Sequence, residues 1–197
     1  MEKSKPTNRA ETTRARRKLL IETAITLFVE RGLARTSMRD IANKAGVSVG
    51  NLYNHFPSRD DFISEIAQME TSGLTDIVAQ VKTCTTAQDA VDTFVNAYFS
   101  HCASPVSAVL TIEITSEALR NPVVERLFTG NREMLMRPLK DAVSKVKPDV
   151  GSPDKVAGLI LDMIEGFALR VGLSGKKRQE ADTIALQAFV NDALSSK

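Results

Sequence analysis

The chain has 197 residues, 43% of them hydrophobic and 25% charged, enough to bury one sizeable core with a small appended domain. No apolar run approaches the ~20 residues that a membrane span needs, and the charged amino terminus lacks an apolar stretch of the secretory kind, so a membrane partner is excluded and a cytoplasmic protein is expected. The net charge of +2 conceals a division: residues 1–60 carry 12 Lys and Arg against 6 Asp and Glu, and the remainder carries 14 against 18.

A basic end of this kind is the electrostatic footprint of a polyanion partner. Residues 1–13 read as a flexible basic arm in which Lys3, Lys5 and Arg9 can follow phosphates or enter a minor groove. From Glu11 or Thr12 a helix is predicted, because Leu19, Leu20, Ala24, Leu27 and Phe28 recur at spacings of three and four until Gly32 stops it. Within its basic run RARRK, Arg16 and Arg17 are expected on the DNA backbone.

Residues 36–60, TSMRDIANKAGVSVGNLYNHFPSRD, then hold two short helices about a Gly turn. Ser37 with Asp40 three residues on is a capping box that opens the first, and Gly46 can take the positive φ that closes it. Ser48 caps the second, whose inward anchors are Val49, Leu52 and Phe56. Ser48, Gly50, Asn51, Tyr53, Asn54 and His55 are left to look outward. Small hydrogen-bonding groups near a helix start suit a recognition helix entering the major groove, with Tyr and His toward phosphates. The same groups also suit a merely solvated helix; the basic surroundings favour DNA.

The stretch AGVSVGNLYNHFPSRDDF, preceded in order by ARRKLLIETAITLFVERG and TSMRDIANK, resembles the TetR family of bacterial transcription regulators. The resemblance covers residues 14–74. It implies an all-α protein: a three-helix helix-turn-helix domain over 14–74 with its motif at 37–56, and a helical-bundle domain over 75–197 for ligand binding and dimerisation. It further implies a homodimer on double-stranded operator DNA that lets go when a small-molecule effector binds. Carried onto matching positions, the DNA-facing set is Ser37, Arg39, Ser48, Gly50, Asn51, Tyr53, Asn54 and His55, to which Val49 and Arg59 are added; Arg59 stands where many relatives carry Lys.

Ser58 with Asp61 opens a long helix lined by Phe62, Ile66, Met69, Ile77 and Val81, which is expected to join both domains and transmit the effector's signal. Gly73 weakens it locally by about 1 kcal/mol relative to Ala. From Thr86 a further helix carries Val91, Phe94, Val95, Tyr98 and Cys102 on one stripe. The next segment, VSAVLTIEIT after Pro105, is β-branched and partly alternating, so a strand is locally reasonable; its SEALRN end and its neighbours favour helix. Asn121-Pro122 opens another helix that Gly130 and Pro138 are expected to break or bend. Residues 147–153 form a loop, Ser152-Pro153 starts a helix to about Gly172, and a last helix runs from about Gln179 to Leu194.

Effector candidates in this half are Phe62, Ile66, Met69, Phe94, Tyr98, Leu110, Met134, Met163 and Phe167, with His101, Glu113, Glu165 and Arg170 as polar anchors. The last two helices each carry more than one apolar stripe, so the surplus predicts a two-fold four-helix interface, assigned to Leu161, Ile164, Ala168, Leu186, Val190 and Ala193. No cofactor and no metal are expected, since Cys84 and Cys102 lack metal spacing, and there is no phosphate loop, nucleophile elbow or zinc-protease motif to support an enzyme. An activator of the same fold, and behind it a helical enzyme or a protein-interaction module, remain the alternatives to a repressor.

Overall fold

The computed structural model describes residues 7–176 and 179–195, and among them it is built from nine α-helices without a strand. The chain divides into two compact units, one ending at Ala67 and the other beginning at Gln68, earlier than the boundary expected at 74.

The first unit holds α1 (Thr7–Arg31), α2 (Met38–Ala45), α3 (Val49–His55) and the start of α4 (Arg59–Lys82). Its helix ends follow the expected local chemistry. Ser37 and Asp40 close a reciprocal capping box on α2, and Gly46 ends that helix at φ 66°, its N–H donating to the carbonyls of Ala42 and Asn43. The Ser48 hydroxyl accepts the Asn51 N–H at 3.1 Å, and Ser58 and Asp61 repeat the box at the head of α4. Leu20, Ala24, Leu27, Phe28, Ile41, Leu52, Phe56 and Phe62 are buried, the last two with rings stacked at 3.9 Å. Thr36, also buried, donates its hydroxyl to the Gly32 carbonyl at 2.9 Å. The expected arm over 1–13 is corrected in part. With no Gly or Pro between Thr7 and Gly32, nothing halts the helix, and α1 runs back to Thr7; Lys3, Lys5 and the side chain of Arg9 lie outside the described residues.

The second unit holds the rest of α4 with α5 (Ala87–Cys102), α6 (Pro105–Ala118), α7 (Pro122–Val146), α8 (Pro153–Leu173) and α9 (Glu180–Ser195). Its core gathers Val91, Phe94, Val95, Phe99, Leu139, Val143, Leu161 and Ile164. The β-branched stretch after Pro105 is helical: Ser104 caps it by accepting the Ser107 N–H at 3.0 Å, and Pro105 occupies the first turn, where its missing N–H costs nothing. It packs close to α8, since a methyl added at Gly172 would fall 2.2 Å from Ala108 Cβ. Gln88 donates to Asn191 at 2.8 Å and Asn191 to Asp92 at 3.2 Å, tying α5 to α9.

Two expectations fail in this unit. Helix α7 runs unbroken through Gly130 and Pro138, because Leu135, Leu139, Ala142 and Val143 bury one face on both sides of the proline and outweigh its lost hydrogen bond. The stripe assigned to a subunit interface is core instead. Leu161, Ile164, Ala168, Leu186 and Val190 are buried within the single chain, and only Ala193 is exposed. The large uncovered apolar groups of α8 and α9 are Leu159, Leu173, Ile184 and Phe189, 67%, 67%, 59% and 62% exposed.

Candidate nucleic-acid interface

Helix α3 is seven residues long and is held by few groups: Leu52 and Phe56 go into the core, Ser48 caps its start, and the Phe56 N–H closes its end on the Leu52 carbonyl. Ser48, Gly50, Asn51, Tyr53 and Asn54 are exposed, Tyr53 by 46%, while Val49 and His55 are half-buried. The capping bond uses an acceptor lone pair of Ser48 Oγ and leaves its O–H available to donate. Ser37 differs. Its hydroxyl donates to the Asp40 carboxylate while accepting the Asp40 N–H, so its side chain serves the cap, and that hydroxyl with the Ser37 backbone N–H, both donating to the carboxylate, lowers the Asp40 pKa.

Of the cations, Arg16 and Arg39 are exposed, and Arg59 is half-buried with its Nε buried and without a hydrogen-bond partner. Arg17 does not lie with Arg16. Its guanidinium donates to the His55 carbonyl and to Glu65 Oε2, both at 2.6 Å, and lies 4.3 Å from the centre of the Phe56 ring. Sequence reasoning missed this because it grouped Arg17 with its basic neighbours. The available signal was position: Arg17 stands three, four and seven residues before Leu20, Ile21 and Ala24, on the inward stripe.

The effector candidates are not brought together. Phe62 and Ile66 belong to the core of the first unit, and Met69 is half-exposed. In the second unit Phe94 and Leu110 are buried, Glu113 is half-buried, and Phe167 stacks on Phe99 at 5.1 Å with the Arg170 guanidinium on its ring at 4.9 Å. Tyr98 donates to Glu165 Oε1 at 2.8 Å, and Arg132 reaches Glu165 at 3.6 Å and Asp162 at 2.6 Å. Burial raises the Glu165 carboxyl above its ordinary value, drives the Tyr98 phenol upward, and pushes the Cys102 thiol up to about 12. His101 meets Glu70 at 2.8 Å, which raises the imidazole. Met134 lines a hollow of about 630 Å³ shared by α4, the loop after it and α7; Met163 and Phe167 line a second of about 330 Å³ between α8 and α9. Among the described residues no group of three or more His, Cys, Asp or Glu is placed to hold a metal ion, and no helix is long and apolar enough to cross a membrane.

The family model for bacterial regulatory proteins of the tetR family matches residues 20–66, which carry α2, α3 and their supports. Over 51 residues the chain is 51% identical to the HTH-type transcriptional repressor KstR2 of Rhodococcus jostii, a match spanning 26% of this chain and 25% of that one. Residues 20–66 are thus similar to the DNA-binding unit of the TetR family. Along 95% of both chains this protein is 26% identical to the HTH-type transcriptional regulator UidR of Escherichia coli, so this likeness continues past the helix-turn-helix. Salmonella enterica GusR shares the fold with a TM-score of 0.71 at 22% identity, covering 92% of this chain and 96% of that one. The matched part spans only a quarter of the KstR2 relatives' length, and that resemblance therefore concerns the TetR DNA-binding unit.

Proposed function

We propose that this chain is a sequence-specific repressor of the TetR family that binds a near-palindromic operator as a homodimer and releases it when a small molecule binds. The observation that carries the DNA-binding part is the exposure of Asn51, Tyr53 and Asn54 on a capped helix within a basic unit. Repression is the role named for the KstR2 relatives that match this unit. Dimerisation is supported by the exposure of Leu159 and Leu173 on α8 and of Ile184 and Phe189 on α9, large apolar groups that gain by being covered. Two subunits would then set their α3 helices about 34–36 Å apart, or a multiple, to meet successive major grooves. For the effector, the hollow of about 630 Å³ in the second unit is of the size that takes a drug-sized molecule, and its lining combines Val78, Val81 and Met134 with Lys82, Arg137 and Lys145.

The test is selection of duplexes from a randomised pool by the full chain, followed by binding across a salt series. Enrichment of a two-fold symmetric sequence, with affinity falling steeply as salt rises, is the expected result. Recovery of no sequence above random DNA would sink the proposal.

A further inference from the structure

We infer that Arg17 is a positioning residue for the recognition helix, which sets the pitch of α3 without touching DNA; this rests on the DNA-binding reading above. Three contacts carry it. Arg17 leaves α1 from its inward stripe, donates one nitrogen to the His55 carbonyl at the carboxyl end of α3, donates another to Glu65 of α4, and covers the Phe56 ring that follows α3. The guanidinium is a planar fork, so fixing two of its nitrogens fixes the plane, and the plane fixes where the end of α3 lies. A cation at a helix carboxyl terminus also meets the negative end of the helix dipole and an otherwise unpaired carbonyl.

Helix α3 depends on such a contact more than its neighbours do. Seven residues form too few turns to be stable alone, and only Leu52 within it is buried. The Ser48 cap fixes its start and the Arg17 bond fixes its end. Arg14 and Arg16, next to Arg17 in sequence, are exposed, so the neighbouring cations are the ones left to face phosphate. Glu65 completes the arrangement from α4, and its carboxylate keeps the guanidinium from turning outward to a polyanion.

The roles separate by salt dependence. A cation on phosphate contributes ~0.9 to the slope of log affinity against log salt, whereas a positioning residue contributes affinity and no slope. The duplex enriched by the wild-type chain is the probe, and Arg17→Gln, Glu65→Gln, the double variant and Arg16→Gln are compared on it. Arg17→Gln and Glu65→Gln are each expected to weaken binding about tenfold with the wild-type slope, and the double variant no more than the worse single one. Glu65→Gln keeps the cation and keeps the side-chain shape, so it reads the clamp even where Arg17→Gln folds poorly; its melting curve is expected to match the wild type. Arg16→Gln is expected to lower the slope. If Arg17→Gln lowers the slope by ~0.9 and Glu65→Gln binds like wild type, Arg17 is a phosphate contact and the inference is overturned. A wild-type chain that enriches no duplex overturns the DNA-binding reading and this one with it, whereas enrichment with a silent Glu65→Gln overturns this one alone.

Discussion

On α3 the uncovered side chains are Asn51, Tyr53 and Asn54; on α8 and α9 the large uncovered ones are Leu159, Leu173, Ile184 and Phe189. Both sets stand on helices whose opposite faces are buried, and they differ in chemistry. The first can exchange its water only for hydrogen-bonding partners such as base edges and phosphates, so its affinity depends on geometry and salt. The second gains by losing water altogether, at roughly 25 cal/mol per Å² of apolar surface covered, and another apolar face serves it best. One chain thus presents two classes of surface: the face a residue occupies decides whether it is uncovered, and its chemistry decides what can cover it.

The largest effect should separate buried from outward positions on α8 and α9. Leu161→Ala removes a fully buried side chain and should cost about 2–5 kcal/mol in denaturant unfolding. Phe189→Asp, on the outward face, should leave the helical signal intact yet give sedimentation at the 21.5 kDa of one chain. Should Leu161→Ala instead dissociate a stably folded dimer, the two stripes have been exchanged. On α3, Asn54→Ala should weaken binding to the selected duplex by about 1–3 kcal/mol, concentrated at one base position, with the unfolding midpoint unchanged. A uniform loss across sequences would move Asn54 from base edge to phosphate.

The smallest effect is a pH dependence. Glu70 raises the His101 pKa above its ordinary 6.5. Below that value the imidazole is charged in both the folded and the unfolded chain, and the pair contributes fully; as pH rises through the folded value the contribution is lost. The melting temperature should therefore fall through that window, and His101→Gln should flatten the fall. A profile identical in wild type and variant would show that the pair contributes nothing measurable.

What the sequence made legible was local. The caps at Ser37, Ser48 and Ser58, the turn at Gly46 and the polar face of α3 each depend on residues within four positions, and each is found as expected. Choices that depend on packing were not legible. The two stripes of α8 read as equally apolar, Leu159 and Met163 on one and Ala157, Leu161, Ile164 and Ala168 on the other, and only packing shows that the second is the buried one. Phe62 and Ile66 line a core because the first unit extends to Ala67, a boundary set by contacts remote in sequence. Pro138 was misjudged for the same reason, its cost being offset by four buried neighbours.

The glycines of the helices divide along a practical line. A methyl placed on Gly73 would come within 2.8 Å of the His101 ring, so exchanging this helical glycine for alanine requires the imidazole to shift and puts its bond to Glu70 at stake. Gly158 and Gly166 face open space in the isolated chain. An engineer could fill them freely in a monomer, and would learn from any resulting loss of assembly how near a second copy comes.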